Sequence, residues 1–305
     1  MPIKSMFWRL ADLIRFFYRL DEHFDEVKFN QGRLLVQQSQ SREKKSVSLC
    51  DVEFKVYSQW GEDGIIQFLL QHVPIDNKTF IEFGVGDFRE SNCRFLMEFQ
   101  DWQGFVVESD VRSVARLKRS RFCWQHDLVV QDVFLTRDNV NDVLISSGFS
   151  SDLGLLSIDV DGNDYHFLEA LTAFQPRILI CEFNPVFEPA RKWVVPYEAS
   201  FRRERAHYSR LYWGASLGAM VDLAGRLGYR WAGVGSKGAN AFFVRQDLWP
   251  TDIEIVTPNL DSVRPRFRES RGRLGGMTLL RGGDRLAALS GMPVVDLESG
   301  SIIRL

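Results

Sequence analysis

From residue 58 to about residue 248 the chain alternates between two hydrophobic periods, and the alternation predicts a sheet with helices laid across it. "GEDGIIQFLLQHV" sets Ile65, Ile66, Phe68, Leu69 and Val73 at the spacing of an amphipathic helix. "TFIEFGVG" is a short apolar run that breaks into glycines, the pattern of a buried strand and its turn. "ESNCRFLMEFQ" follows as a helix with Ser91 or Asn92 as its cap, "GFVVESD" as a strand and "RSVARLKRS" as a helix. Farther on, "VNDVLISSG" reads as a helix, "LGLLSIDVDG" as a strand, "YHFLEALTAF" as a helix and "RILICEFN" as a strand. A helix, "LGAMVDLAGRLGY", and two closing strands, "RWAGVG" and "NAFFVRQDL", complete the series. Strands that alternate with helices give an α/β fold, a doubly wound and mostly parallel sheet covered on both faces.

The flanks read differently. In "MFWRLADLIRFFYRL" the polar residues Arg9, Asp12, Arg15 and Arg19 share one helix face, and the remaining surface carries Phe7, Trp8, Leu13, Phe16, Phe17 and Tyr18. Residues 6–20 are therefore expected to bury a broad apolar face against their own domain, in a homo-oligomer, or as a peripheral contact on a membrane surface. Residues 21–55 are polar and read as a connecting arm. The expected division is 1–55 for helix and arm, 56–250 for the main domain and 251–305 for a C-terminal extension. In that extension prolines, two Gly-Gly pairs and the arginines Arg264, Arg266, Arg268, Arg271 and Arg273 suggest an extended tail or a β-rich flap.

Composition narrows the choice. A formal charge of -2 over 305 residues gives no sign of nucleic-acid binding. Cys50, Cys93, Cys123 and Cys181 form no CxxC pair, which argues against a zinc site or a disulfide framework. The N-terminus lacks a signal-peptide pattern and no apolar run is long enough to span a bilayer. The expected location is cytoplasmic, at the inner membrane face if the first helix lies on lipid.

The chemistry gathers at strand ends. "LLSIDVDGNDYHFLEAL" sets Asp159, Asp161 and Asp164 directly behind a buried strand, where a bare carboxylate costs several kcal/mol unless paired or bound. A calcium loop is excluded by count: from Asp159, glycine falls at position 4 instead of 6, and position 12 is Ala170. In open α/β sheets ligands sit beyond the carboxyl ends of the strands, where Glu82, Glu108, Glu182 and Asn184 also end theirs. Gly84 and Gly86 would let backbone approach a ligand closely, and Glu108, 22 residues after Gly86, stands where an acid grips ribose hydroxyls. The third glycine of a dinucleotide fingerprint is replaced by Arg89.

"YSQWGEDGII", "FIEFGVGDFRESNCRFL", "LLSIDVDGNDYHFLEAL", "ICEFN", "YWGASLGAMVDLAGRLGY" and "GANAFFV", in order from about residue 57 to 248, together resemble the FkbM-like family of S-adenosylmethionine-dependent methyltransferases. The resemblance implies a Rossmann-like class I methyltransferase fold, a seven-stranded sheet whose last strand is antiparallel. It also implies methylation of hydroxyls on sugars, glycans or other small molecules, often in polysaccharide biosynthesis. On the matching positions, it implies Glu82, Gly84 and Gly86 around the methionine part of the cofactor, Glu108 at the ribose and Asp159 beside the methyl group. Asn92 falls in the same motif without an assigned role. Asp161 stands where many relatives carry Glu, which leaves metal use open.

The catalytic candidates are accordingly Asp159, Asp161, Glu182 and His207, as base or support. Asp159, Glu182 and Asn184 are the oxygen ligands that would suit magnesium. Asn163 or Asp164 is expected to cap the following helix, and His166 to be structural. "YEASFRRERAHYSRLYWGASL" offers Arg202, Arg203, Arg205 and Arg210 to an anionic acceptor, or else to solvent. Tyr212 and Trp213 would either stack on a sugar or belong to the core. Two other functions compete: an NAD-type oxidoreductase, disfavoured by Arg89, and a non-catalytic scaffold that keeps the fold.

Overall fold

The computed structural model describes residues 3–40 and 45–305, and of the first 21 side chains those at 12, 13, 16 and 20. Seven strands form the central sheet: β1 Thr79–Phe83, β2 Gln103–Glu108, β3 Leu128–Asp132, β4 Leu155–Ile158, β5 Ile178–Glu182, β6 Tyr229–Val234 and β7 Asn240–Arg245. Their order is 3-2-1-4-5-7-6. All pairings are parallel except those of β7, which runs antiparallel to both β5 and β6. The expected α/β architecture, including the antiparallel last strand, is the one found.

Alternation along the strands divides the core. On β1, Phe80 packs into one apolar layer while Ile81 and Phe83 enter the other. The first layer is closed by helices Glu62–His72, Arg94–Gln100 and Val111–Leu117, through Ile65, Leu96 and Val114. The second is closed by Val140–Ile145, Asp164–Ala170 and Leu217–Arg226, through Leu144, Phe167 and Met220. Consecutive helices thus change face after β3, and the strand order reverses between β1 and β4. That reversal opens a crevice at their carboxyl ends.

One strand has no counterpart in the sequence pattern. β3 lies at the sheet edge, with Leu128 and Val130 buried and Val129 exposed. Three adjacent apolar residues hide the two-residue period there.

Helix α1, Ile3–Gln40, extends through half of the stretch expected to be a connecting arm. It reads as polar because few of its positions face the protein: Phe29, Gly32 and Val36 pack on Val56, Tyr57, Phe95 and Phe99. A methyl group on Gly32 would overlap the side chains of Val56 and Phe95, so this glycine permits the close approach. Leu13, Leu20, Val27 and Leu34, seven residues apart, are exposed. Phe7, Trp8, Phe17 and Tyr18, on which the expected apolar face rests, lie outside the described side chains. No helix among the described residues is long and apolar enough to cross a membrane.

Arg94 fastens α1 to the domain. It is 1% exposed, and its guanidinium lies 3.6 Å from the Tyr57 ring centroid and 4.5 Å from that of Phe122. It donates to Asp25 Oδ2 on α1 at 2.6 Å and to Glu98 Oε1 at 2.7 Å. Removing one partner of a buried pair strands the others. Arg94→Ala is expected to lower unfolding free energy by about 3 kcal/mol or more, measured by urea denaturation; a loss below about 1 kcal/mol would show the pairing to be peripheral.

The C-terminal extension is mostly irregular, with the short helix Gly283–Ala287 and strands only near its two ends. Pro293–Asp296 and Ser301–Arg304 form a hairpin that pairs antiparallel with Trp193–Val194.

Candidate cofactor and active site

The turn after β1 is shaped by glycine for two different reasons. Gly84 has φ +73°, and a Cβ there would overlap the carbonyl oxygen of Asp159 after β4. It is therefore the point where the two strand ends touch, at the reversal of strand order. Gly86 has φ +53° but nothing within 4 Å of where a Cβ would lie, so it borders open space. Its N–H donates to Glu108 Oε2 at 2.7 Å, while Ser109 and Asp110 donate to Oε1, both at 2.7 Å. Glu108 thus ties the β1 and β2 turns together, and its oxygens line the crevice.

The crevice has two lobes. One, about 230 Å³, lies between Glu108, Phe134, Leu135, Phe167 and Phe201. The other, about 340 Å³, is lined by Gln59, Glu82, Gly86, Asn92 and Asn240. Gly84, Asp159 and Asp161 border both. A pocket of mixed lining, with Glu108, Asp161 and Arg203 among its phenylalanines, adjoins a polar one, and volumes of this order suit a small organic molecule.

The polar lobe is held by buried acids. Glu82 accepts hydrogen bonds from Ser91 Oγ at 2.5 Å, Asn92 N at 2.8 Å and Cys93 N at 3.3 Å. Burial pushes its carboxyl up to about 7 against those bonds. Asn92 Nδ2 donates to Ser157 Oγ at 3.1 Å. Glu62 accepts from the backbone of Trp60 and Gly61, both at 2.9 Å, and from Asn240 Nδ2 at 3.1 Å. Asn240 Oδ1 is left buried with no partner among the described residues. Sequence reasoning missed Glu62 and Asn240 as site residues, although both lie within the motifs "GEDG" and "GANAFFV".

Beyond β4 and β5 stand Asp159 and Glu182. Oxygens of Asp159, Asp164 and Glu182 lie within 4.8 Å of one another. Glu182 Oε2 is buried with no hydrogen-bond partner among the described residues. Burial, and then each carboxylate's neighbours, push both groups well above the usual range. Two such acids hold one proton between them or a cation.

Several expectations are corrected here. Asp164 does not cap its helix: it reaches back to accept from Val160 N and Gly162 N, both at 2.9 Å, and so folds the loop that follows β4. Asn163, at the cap position, instead donates from Nδ2 to Glu198 O at 3.0 Å. Asn184 does not join the carboxylates. Its Nδ2 donates to Leu211 O and Trp213 O, both at 2.8 Å, and its Oδ1 accepts from Val186 N, so the whole amide pins the segment before α-helix Leu217–Arg226. His207 lines neither lobe; its Nδ1 faces Ser209 Oγ at 2.7 Å. Asp161, in a left-handed conformation with φ +54°, is exposed and accepts from Arg203 Nη1 at 2.6 Å. Arg203 is therefore engaged with the rim and not with solvent. Tyr212 and Trp213 are buried, as core, and His166 Nε2 donates to Val195 O at 2.9 Å in a structural contact.

No protein-family model matches the chain, and no curated protein does. Among solved structures, it is similar to an S-adenosylmethionine-dependent methyltransferase from Mesorhizobium loti, at 11% identity and TM-score 0.36, over 55% of this chain and 90% of that one. A methyltransferase of the same kind from Aquifex aeolicus is similar at 10% identity and TM-score 0.31, over 58% and 86%. Human N-acetylserotonin methyltransferase is similar at 12% and 0.31, over 55% and 47%.

Proposed function

We propose that the chain is an S-adenosylmethionine-dependent methyltransferase acting on a hydroxyl of a sugar-like or related small molecule. The observation that carries this is the two-lobed crevice at the β1/β4 reversal, with Glu108 at one lobe and the Asp159–Glu182 pair at the divide. The first lobe offers a purine the side chains of Phe134, Leu135 and Phe167, with Glu108 accepting from ribose hydroxyls. The polar lobe suits an amino-acid moiety, with the orphaned Asn240 Oδ1 available to an ammonium group. Asp159, which borders both lobes, then stands beside the join of nucleoside and amino acid. The FkbM-like motifs in the sequence point the same way and add the preference for oxygen.

When bound, the cofactor supplies an electrophilic methyl group on a sulfonium. The residues supply the rest. Asp159 orients the acceptor hydroxyl and takes its proton, and Glu182, whose carboxylate lies within 4.8 Å, raises the basicity of Asp159. Gly84 brings the β1 turn against the Asp159 backbone, so cofactor lobe and base are in fixed register. The same carboxylates, with Asp164 behind them, have the donor type for a hard divalent cation such as magnesium, which would serve to acidify that hydroxyl. The unpartnered Glu182 Oε2 supports this variant, and loss of turnover on chelation with recovery on added magnesium would select it.

Titration calorimetry with S-adenosylhomocysteine and with NAD tests the cofactor assignment directly. Glu108→Ala is expected to weaken S-adenosylhomocysteine binding about tenfold or more, because a hydrogen bond to a charged acceptor contributes about 1.5–3 kcal/mol. Binding of NAD in preference would favour the oxidoreductase reading. Cofactor binding without transfer to any hydroxyl acceptor would favour the scaffold.

A further inference from the structure

A second cavity, of about 580 Å³, lies outside the crevice. It is bounded by residues 185–189, which follow β5, by 263–268 and by 280–286. Arg264, Arg266, Arg268, Arg281 and Arg285 all line it. Among the described residues no carboxylate lies within ion-pairing distance of any of the five. The one acid in the lining, Glu188, is held by Arg191 Nε at 3.2 Å. Glu269, next in sequence to Arg268, is shared between Arg203 at 3.8 Å and Arg271 at 3.7 Å.

Arg285 is the informative member. It is 4% exposed, its Nε has no partner, and the hydrogen bond it makes from Nη1 to Phe267 O is a long one, at 3.4 Å. Its guanidinium carbon lies 5.3 Å from the Phe267 ring centroid. Face contact with an aromatic ring offsets part of the lost hydration, but it satisfies none of the five N–H donors. A buried guanidinium is ordinarily paired, since an unpaired buried charge is costly. Here the missing partner faces a cavity with four more arginines around it.

The cavity adjoins the proposed site. Pro185 follows Asn184 on the strand end that carries Glu182. Phe267 stacks on Trp60 at 6.2 Å and 15°, and Trp60 is the neighbour of Gln59 in the polar lobe. Arg203 reaches from Asp161 on the crevice rim to Glu269 on the cavity side. A molecule whose head lies among the arginines could therefore lay a ring beside Phe267 and Trp60 and bring a hydroxyl toward Asp159.

We propose that this cavity binds the phosphate or diphosphate group of a phosphorylated acceptor, with Arg285 as the buried anchor and Arg281 at its mouth. The inference rests on the methyltransferase reading for the word acceptor, but not for the anion site. Five guanidinium groups without a counter-charge exceed what one carboxylate requires, and guanidinium forks match phosphate oxygens in pairs.

The test is calorimetric titration of the full chain at low ionic strength with inorganic pyrophosphate, with malonate, and separately with S-adenosylhomocysteine. Pyrophosphate is expected to bind at one site, with Arg285→Gln and Arg281→Gln each weakening it tenfold or more. Arg119→Gln, an exposed position in the turn after helix Val111–Leu117 and outside the cavity lining, should leave it unchanged. Arg281 is exposed, so its variant remains informative if Arg285→Gln does not fold. Absence of pyrophosphate binding, or binding indifferent to both variants, overturns the proposal. Malonate binding as tightly as pyrophosphate, with the same arginine dependence, overturns the assignment to phosphate in favour of a carboxylate. S-adenosylhomocysteine binding should be unchanged in every variant. If it is absent from the wild-type chain while pyrophosphate binds through the arginines, the methyltransferase reading fails and the anion site stands.

Discussion

Asp159→Asn is expected to lower methyl transfer about 10²-fold or more while S-adenosylhomocysteine binds nearly as before. The substitution keeps the side chain's shape but removes its capacity to accept a proton. The expectation also has a pH signature. Burial, with Asp161 and Asp164 nearby, holds the Asp159 carboxyl well above its usual range, and burial does the same to Glu182. A group whose folded value is raised is protonated below that value, so the base form is populated only as pH rises. Wild-type turnover should therefore climb with pH above the usual carboxylate range, and Asp159→Asn should flatten that limb. Glu182→Gln should reduce turnover less, because Asp159 keeps its carboxylate, and it should move the limb to lower pH by removing a neighbouring negative charge. The pH–rate profiles of the three proteins decide the matter. An Asp159→Asn enzyme with wild-type turnover would place the base elsewhere, with Glu182 the next carboxylate at hand.

The rim of the site was legible in the sequence because position alone selects it. A polar residue that ends a buried strand in a parallel sheet is placed toward the crevice, and Glu82, Glu108 and Asp159 line it, whereas Glu182 stands behind Asp159 and lines neither lobe. What each polar atom does there was not legible. Asp164 and Asn163 match a helix-cap pattern, yet Asp164 bonds backward to Val160 and Gly162 and Asn163 bonds to residue 198. Asn184 matches a ligand pattern, yet its amide is taken up by carbonyls 27 and 29 residues away. Such contacts depend on how a later loop returns over the sheet, which no local pattern encodes. The same limit hid β3, where an exposed Val129 between two buried residues erased the alternation. It also concealed the extent of α1, which anchors through a few residues and the Arg94 cluster. In the C-terminal extension the arginines were visible as a cluster, but Arg285 lay outside it. Only the folded chain shows it buried beside them without a partner.

Gly84→Ala is expected to weaken S-adenosylhomocysteine binding about 100-fold or more and to cost about 3 kcal/mol of stability. Two effects add at this position. The backbone sits at φ +73°, where a side chain is strained by about 1–2 kcal/mol. The new methyl would also overlap the Asp159 carbonyl oxygen, which is backbone and cannot swing aside as a flexible side chain could. The ends of β1 and β4 must then move apart, and overpacking of this kind costs about 1–3 kcal/mol. That movement also separates the two lobes that Gly84 and Asp159 jointly border, so affinity should fall by more than the stability loss alone explains. Gly86→Ala is the control within the same turn. Its φ of +53° carries a similar strain, but no atom lies within 4 Å of the added carbon. It should lose about 1–2 kcal/mol of stability without forcing the strands apart. Urea denaturation and S-adenosylhomocysteine titration of both variants separate strain from overlap. Equal losses in the two would mean that the contact between Gly84 and Asp159 does not set the geometry of the site.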